Sequence, residues 1–302
     1  MSLLHIGIDL GGTKIESVVL DSNNQIIFRE RVTTESHLGA HHIIKRINFI
    51  YQKALKVINN QPHTLGMGTP GSISETNSVL INSNTLCLNG LPLKDLVQTE
   101  IDHQIEIEND ANCFALAEAI LGSGKKHSMV FGVIMGTGCG GGFVFNQRLR
   151  KGPQNLSGEW GHAVINPNGP QCYCGKKGCV ETYISGGGLE NKIKDLTQKE
   201  ITSRAFLNQA TYNKNEKNIL DEFYQYFGLA LSNIINSFDP DVIVLGGGLS
   251  NHQNLYNKGL DEIYKNIFND KPQTPILKNT LGDSAGVIGA AMLGIKLNKD
   301  QS

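Results

Sequence analysis

The chain contains the same strand–glycine turn–strand pattern twice, and this duplication restricts the folds that it can adopt. Residues 6–21 align without a gap with residues 131–146, which lie 125 positions further along. In both segments apolar runs flank a glycine-rich turn, as in a β-hairpin, and Gly11 aligns with Gly136. A gapless match over sixteen positions favours an internal duplication over a chance similarity of two hairpins. The duplication predicts two related lobes.

The rest of the chain alternates between strand and helix patterns, which is typical of an α/β fold. The predicted elements outside the hairpins are strands over 25–32, 65–69, 106–108 and 242–245, and helices over 43–58, 111–121, 220–237 and 284–293. The last of these helices is small and apolar, so we expect it to pack closely against another element. By contrast, residues 189–218 are polar and irregular in pattern, and they predict surface helix and loop.

The boundary between the lobes is inferred from the repeat, because no proline-rich or charged linker divides the chain. It falls near residues 121–125. We expect residues 1–121 to form the N-terminal α/β lobe, completed by a C-terminal helix over 285–302. Residues 122–284 are expected to form the C-terminal lobe. With 302 residues, the chain is long enough for two lobes with cores of their own.

One histidine and three cysteines lie close together in the chain and match the ligands of a structural zinc site. They are His162, Cys172, Cys174 and Cys179. Four soft ligands complete a tetrahedral site, and the glycines between the cysteines permit the turns that bring thiolates together. Two neighbouring carboxylates, Glu159 and Glu181, are therefore expected to lie beside the metal, where they can hold a polar ligand.

The composition disfavours several classes of protein. A net charge of -1 provides no field that attracts nucleic acid or an anionic membrane. No apolar run reaches the length of a membrane span, and the N-terminus lacks the basic region of a signal peptide. A secreted disulfide scaffold is the alternative explanation of the six cysteines, but the chain length and the cysteine spacing disfavour it. We expect a cytoplasmic protein.

Three glycine-rich turns offer backbone amides to a phosphate group. Their residues are Asp9, Gly11, Gly12, Thr13 and Lys14 in the first turn, Gly136, Thr137 and Gly138 in the second, and Gly246, Gly247 and Gly248 in the third. The first turn adds a hydroxyl and an ammonium group, and the third follows a strand, where ligands bind open α/β sheets. The sequence has no P-loop motif, and its one G-x-G-x-x-G match leads into a strand. Three such turns are more specific for a phosphate ligand than any one alone.

These motifs together resemble the ROK family of sugar kinases over nearly the whole chain. The most specific part is Glu159-x-x-His162 followed by Cys172-x-Cys174-x4-Cys179-x-Glu181. The resemblance implies the fold of the actin-like ATPases, with two duplicated ribonuclease-H-like α/β lobes around a central cleft and a zinc-bound loop. Within the family, residues 71–74, 82–84, 158–162 and 172–174 look most like bacterial fructokinases and mannokinases.

The same resemblance implies roles for individual residues. Asp110 is expected to be the catalytic base, although an aspartate at a helix start is also a common N-cap. The implied sugar-binding residues are Asn84, Asn109, Glu159, His162 and Glu181. The three glycine turns are expected to bind ATP, with Asp9 organising a hydrated Mg²⁺. His162 is expected to use one ring nitrogen for zinc and the other for a sugar hydroxyl.

The expected function is ATP-dependent phosphorylation of the primary hydroxyl of a hexose, giving a hexose 6-phosphate. Fructose is the expected substrate, with mannose and glucose as further ones, and the resemblance implies a homodimer. An N-acetylhexosamine kinase, acting on N-acetylglucosamine or N-acetylmannosamine, is the alternative, because the sequence does not show the space beside carbon 2. A sugar-responsive ROK repressor is a further alternative, although a strand that begins near His5 leaves no room for an N-terminal helix-turn-helix.

Overall fold

The two hairpins predicted from the duplication form parts of two separate β-sheets. A computed structural model describes residues 3–295 of the protein. The strands are β1 (Leu4–Leu10), β2 (Lys14–Leu20), β3 (Ile26–Thr33), β4 (His63–Thr69), β5 (Ser72–Ile73), β6 (Leu80–Ile81), β7 (Glu106–Asn109), β8 (Met129–Met135), β9 (Cys139–Phe145), β10 (Arg148–Leu149), β11 (Val242–Gly246) and β12 (Ile276–Lys278).

Helices follow strands in both halves of the chain. The α-helices are α1 (Ala40–Val57), α2 (Leu93–Ile101), α3 (Asp110–Ile120), α4 (Glu181–Ile184), α5 (Gly186–Thr197), α6 (Ser203–Leu207), α7 (Lys214–Phe238), α8 (Lys258–Asn266) and α9 (Ala285–Leu293). Short 3₁₀ helices occupy Ser36–Leu38, Leu86–Leu88, Glu159–His162, Gly248–Asn251, Gln253–Tyr256 and Gly282–Ser284. None of the helices described between residues 3 and 295 combines the length and hydrophobicity that would let it span a membrane.

The two larger sheets have the same strand order. The first runs β3-β2-β1-β4-β7 and the second runs β10-β9-β8-β11-β12. In each sheet the hairpin is antiparallel, and its first strand also pairs in parallel with a later strand, β4 or β11. The bounds of β1 and β2 lie 125 residues before those of β8 and β9. The structure therefore confirms an α/β fold with two related sheets.

Helix α9 packs against the first sheet through small residues. A side chain at Gly7 in β1 would collide with the backbone carbonyl of Val287, and one at Gly66 in β4 would collide with that of Ala290. Almost all of α9 is buried. This confirms the expectation of a closely packed C-terminal helix that begins at Ala285. The part of the predicted helix beyond residue 295 lies outside the described residues.

Residues 189–218 form short helices joined by loops, as the sequence predicts. They include most of α5, all of α6 and the start of α7. Leu189, Ile193 and Phe206 from this segment are buried in the core around the second sheet. The prediction of helix and loop is therefore confirmed, but the expected surface position was wrong for these three side chains, because each short helix shows only a few apolar residues among its polar ones.

The described residues form two compact units. One comprises residues 3–117, 151–156 and 283–295, and the other comprises 118–150 and 157–282. The first unit contains the sheet around β1, and the second contains the sheet around β8. The change from one unit to the other falls within α3, slightly before the boundary inferred at 121–125. The short segment 151–156 belongs to the first unit, whereas the repeat places it with the second.

Candidate active site

Two aspartates of the first unit lie at the carboxyl edge of its sheet. Asp9 is near the end of β1, and Asp110 follows β7 as the first residue of α3. Strand β4 pairs in parallel with both strands, with Asp9 opposite Gly68 and Asn109 opposite Thr69. Because the ends of parallel strands meet at one edge, this register brings the two carboxylates together.

Asp9 has an unusual protonation equilibrium. Burial, followed by the charges of Asp110 and Glu16, raises its pKa from 3.8 to about 7, whereas Lys14 and Arg31 act in the opposite direction. The Asp110 contribution shows that the two aspartates interact electrostatically. Since an unliganded carboxylate is disfavoured at this position, a bound cation would relieve the repulsion. The donor set therefore fits Mg²⁺, with Asp9 as the residue that would hold it.

Glu16 was not predicted from the sequence, although it lies directly opposite Asp9 in the hairpin. It is 1% exposed and forms ion pairs with Arg29 at 2.6 Å and Arg31 at 2.8 Å. The hydroxyl of Ser284 also donates a hydrogen bond to it at 3.2 Å. The alternation of Arg29 and Arg31 on β3 is the sequence pattern that could have indicated this network. The two arginines neutralise Glu16, which leaves Asp9 as the carboxylate available to a cation.

The first glycine turn connects β1 to β2. The Gly11 amide donates to the carbonyl of Lys14 at 2.9 Å, and the Thr34 hydroxyl donates to the carbonyl of Gly11 at 2.7 Å. These bonds fix the turn, whereas the side chains of Thr13 and Lys14 remain exposed. Asn84 is also exposed and has its Oδ1 3.9 Å from the position of a Cβ on Gly12. The structure therefore places Asn84 beside this turn.

Asn109 is held at the edge of the sheet by several hydrogen bonds. Its Nδ2 donates to the carbonyl of Gly71 at 3.1 Å, and its Oδ1 accepts from the amide of Ala111 at 2.9 Å. Its own amide donates to Glu108 Oε1 at 2.9 Å, and Glu108 pairs with Lys151 at 3.0 Å. Asn109 thus caps α3 and fixes the start of the helix that carries Asp110. Neither Glu108 nor Lys151 was predicted from the sequence to be a residue of the site.

The second glycine turn connects β8 to β9 in the second unit. The amide of Gly136 donates to the carbonyl of Gly138 at 3.0 Å, and the amide of Gly187 donates to the carbonyl of Thr137 at 3.0 Å. Glu181 accepts a hydrogen bond from the backbone amide of Cys139 at 2.9 Å. Its carboxylate therefore lies against this turn, and its predicted role in sugar binding stays a prediction.

The third glycine turn follows β11. Gly246 ends the strand in a buried position, whereas Gly247 and Gly248 are exposed. Gly247 has a φ of 79°, and a side chain there would collide with the backbone of Met135. Glycine is therefore required for both its conformation and its close approach to β8. The exposed amides leave room for a ligand at the carboxyl end of the strand.

The four predicted zinc ligands come together in the second unit. Ligand atoms of His162, Cys172, Cys174 and Cys179 all lie within 4.8 Å of one another. The sulfur of Cys172 lies 3.6 Å from His162 Nδ1, and the sulfurs of Cys174 and Cys179 are 3.6 Å apart. Ligands at typical zinc–sulfur distances stand about 3.8 Å apart around a tetrahedron, so the donor set and spacing fit zinc. His162 Nδ1 would be the nitrogen ligand.

The other ring nitrogen of His162 faces Tyr173, for which the sequence predicted no role in the site. The Tyr173 hydroxyl lies 3.0 Å from His162 Nε2, and the two rings are perpendicular. Desolvation of this hydroxyl, followed by the charges of Glu181 and then Glu159, raises the pKa of Tyr173 to about 12, although most of its ring is exposed. Both predicted sugar-binding carboxylates thus act on the same hydroxyl. Its position between two cysteine ligands could have indicated this role.

A cleft of about 370 Å³ opens beside this group in the second unit. Its lining includes Thr137 from the second glycine turn, Tyr173, Glu181 and residues of α5 and α7. This volume is in the range of small-molecule sites in proteins. Trp160 lies outside the cleft lining and packs against Phe131 in the core.

The predicted site residues therefore fall into two groups, each brought together within its own unit. The first-unit group is Asp9, Gly11, Gly12, Thr13, Lys14, Asn84, Asn109 and Asp110. The second-unit group is Gly136, Thr137, Gly138, Glu159, His162, Cys172, Cys174, Cys179, Glu181, Gly246, Gly247 and Gly248. The first group supplies interacting carboxylates beside a glycine turn, and the second supplies glycine turns, acidic residues and a metal-binding cluster.

Known proteins resemble this one in fold and in sequence along almost the whole chain. The family model described as "ROK family" matches residues 5–296. An N-acetyl-D-glucosamine kinase of Histophilus somni is 34% identical over 96% of this chain and 98% of its own length. The crystal structure of a ROK hexokinase from Thermus thermophilus is 28% identical, with a TM-score of 0.89 over 99% of this chain and 100% of that chain. A ROK glucokinase from Streptomyces griseus, solved with glucose and AMPPNP, is 26% identical, with a TM-score of 0.80 over 97% and 99%.

The duplicated sheets have the ribonuclease-H-like topology of the actin-like ATPases and sugar kinases. The chain belongs to the ROK family. This confirms the family expected from the motifs. The similarity to N-acetyl-D-glucosamine kinases favours the alternative substrate class over fructose.

Proposed function

We propose that the protein transfers the γ-phosphoryl group of ATP to the primary hydroxyl of N-acetyl-D-glucosamine, giving the 6-phosphate. The observation that supports phosphoryl transfer most directly is the convergence of Asp9 and Asp110 at one sheet edge, beside the first glycine turn. Phosphoryl transfer needs a base for the acceptor hydroxyl, a site for a metal-bound nucleotide and positioning groups. The two groups of residues supply each of these.

Asp110 is proposed to be the base. It stands at the start of α3, where Asn109 caps the helix and fixes its orientation. As the sugar hydroxyl attacks the γ-phosphorus, the hydroxyl proton passes to an Asp110 carboxylate oxygen, and the bond from phosphorus to the bridging oxygen of ADP breaks. Asn109 is proposed to orient the same sugar.

Asp9 and the glycine turns are proposed to bind the nucleotide. Mg²⁺, when bound, neutralises charge on the phosphate oxygens. Asp9 would hold the hydrated ion, because its carboxylate lies at the strand end and is poorly stabilised without a cation. The exposed backbone amides at Gly138 and Gly248 and the exposed Lys14 ammonium would contact phosphate oxygens.

Glu159, His162 and Glu181 are proposed to bind the sugar hydroxyls. Carboxylates suit vicinal hydroxyls because each accepts more than one hydrogen bond. His162 is held by the cysteine cluster through Nδ1, so its Nε2 can donate to a hydroxyl. The zinc would therefore contribute by fixing the segments that carry these three side chains.

The identity of the sugar is proposed from the relatives. The Histophilus somni relative, named an N-acetyl-D-glucosamine kinase, aligns along almost its entire length. Other relatives of similar identity carry the same name. We therefore place N-acetyl-D-glucosamine ahead of fructose. Glucose is a second candidate, because a structural relative was solved with that sugar.

A side-by-side kinetic panel tests this assignment. Release of ADP would be measured with N-acetylglucosamine, N-acetylmannosamine, glucose, mannose and fructose, with ATP alone as the control for hydrolysis. We expect kcat/KM for N-acetylglucosamine to exceed that for fructose by at least about tenfold, or roughly 1.4 kcal/mol of transition-state binding. Preference for fructose would contradict the substrate assignment. Absence of sugar-dependent ADP release throughout the panel would contradict the proposed kinase activity.

A further inference from the structure

Tyr173 makes an unusual contact for an exposed residue. Its side chain is 75% exposed, yet its hydroxyl is 3.0 Å from His162 Nε2. The centroids of the two rings are 5.1 Å apart at an interplanar angle of 89°. The hydroxyl of a tyrosine that is fully exposed to solvent would form its hydrogen bonds with water. Here the loop that holds Cys172 and Cys174 turns the hydroxyl onto the histidine instead.

The hydrogen-bonding state of His162 follows from the cluster. Nδ1 points at the sulfur of Cys172 at 3.6 Å, so a metal ligated there would leave the ring proton on Nε2. Nε2–H then donates to the Tyr173 oxygen. The same oxygen carries its own proton, and Tyr173 lines the same cleft as Glu181. A hydroxyl that accepts from an imidazole and keeps a proton to donate has the same hydrogen-bonding options as a hydroxyl of a sugar.

We propose, on the basis of the sugar-binding role proposed for His162, that the Tyr173 hydroxyl occupies the place of a sugar hydroxyl in the unliganded protein. Substrate binding then displaces Tyr173 from Nε2. Tyr173 lines the same cleft as Glu181 and has an exposed ring, so its side chain can rotate away without opening the core. Tyr173 is thus an affinity-determining residue for the sugar, and it opposes binding.

Removal of the hydroxyl should therefore strengthen sugar binding. Tyr173→Phe keeps the ring against His162 but provides no acceptor for Nε2–H, so the sugar no longer competes with an internal partner. The expected effect is about a three- to tenfold fall in KM and in the sugar dissociation constant. A change of this size corresponds to the net free energy of one hydrogen bond. The turnover number should change less than about twofold, because the tyrosine is already displaced in the ternary complex.

The test compares Tyr173→Phe with Tyr212→Phe in the full chain. Tyr212 also lies in the second unit and donates to the carbonyl of Phe206, away from the cleft. Sugar affinity without ATP can be measured from the fluorescence of Trp160, the single tryptophan of the chain, alongside steady-state kinetics and zinc content. We expect tighter binding with unchanged zinc content for Tyr173→Phe, and wild-type values for Tyr212→Phe.

Several results would overturn the inference about Tyr173 while leaving the kinase activity intact. Equal KM values for wild type and Tyr173→Phe would show that the hydroxyl does not compete with the sugar. A raised KM would show that the hydroxyl is a ligand of the sugar. Loss of zinc from the Phe variant would assign Tyr173 to the metal loop instead. Tyr173→Ala, which removes the ring as well, should also bind the sugar more tightly. A wild-type protein with no sugar-dependent turnover would contradict the proposed function itself.

Discussion

At the residue scale, the first unit concentrates negative charge where it destabilises the folded chain. Asp9 is partly buried, Glu16 lies opposite it, and Asp110 is close enough to raise its pKa. The arginines on β3 compensate the negative charge of Glu16. The ionised form of Asp9 is still disfavoured unless a cation binds beside it. A residue that weakens the fold while sitting beside a glycine turn is better explained by ligand binding than by stability.

Asp9→Asn should therefore stabilise the metal-free protein. The folded-state pKa of Asp9 is about 7, against 3.8 in the unfolded chain, so the folded state loses stability as the pH rises from about 4 to about 7. The uncharged asparagine removes that loss. Because solvent reaches part of the side chain, we expect a gain of roughly 2 kcal/mol at pH 8 that shrinks toward pH 5. Thermal unfolding of both proteins between pH 5 and 8 measures the effect. An Asn variant that is less stable at pH 8 would contradict it.

Asp110→Asn should abolish turnover and leave sugar binding nearly intact. The amide has the size of the carboxylate and its Oδ1 can still accept from the Ala111 amide, but it cannot accept the hydroxyl proton. Loss of a general base corresponds to a fall in kcat of about a hundredfold or more. The matched control is Asp102→Asn, the same change at a left-handed position after α2 that asparagine tolerates. If Asp110→Asn kept more than about a tenth of wild-type kcat, Asp110 would not be the base.

At the element scale, α3 ends on a buried carboxylate. Glu118 is 0% exposed, and its oxygens accept from the amides of Ser123 at 2.9 Å, Leu281 at 2.9 Å and Thr280 at 3.2 Å. A side chain at Gly122 would collide with it. The buried Glu118 carboxylate therefore accepts from amides in two partly exposed loops, and it holds both loops at the end of the helix.

Glu118→Ala should be strongly destabilising. The change removes the buried acceptor of three backbone amides and opens a cavity, so we expect a loss of about 2–4 kcal/mol in the free energy of unfolding. Glu200→Ala is the control, because Glu200 is an exposed glutamate of the same unit paired with Lys194. It should change stability by less than about 0.5 kcal/mol. Denaturant unfolding of the two variants gives both values, and similar stabilities would show that Glu118 does not hold the loops.

At the scale of the whole molecule, the structural features that the sequence predicts are those that depend on local residue spacing. The paired hairpins, the helix that begins at Asp110 and the four ligands of the cysteine cluster all follow from residue spacing. Contacts between distant segments do not follow from it. The ion pairs of Glu16 depend on the register of β2 and β3, and the contact of Tyr173 with His162 depends on a loop conformation. The preferred sugar does not follow from it either, because residues 71–74, 82–84 and 158–162 favour fructose whereas the chain is similar to relatives named N-acetyl-D-glucosamine kinases.

Cys174→Ser tests whether the metal cluster maintains the sugar-binding segments of the second unit. Metal analysis of the wild-type protein should find about one zinc per chain, as expected for one four-ligand site. Cys174 is exposed, so its replacement by serine creates no cavity, and any loss of stability reflects the metal. We expect the variant to lose zinc, to unfold at a lower temperature and to bind the sugar more weakly, because His162 would lose its fixed orientation.

Cys87→Ser is the matched control, since Cys87 is also exposed but belongs to the first unit. It should keep its zinc, stability and activity. A wild-type protein that is fully active without zinc would show that the cluster has another role.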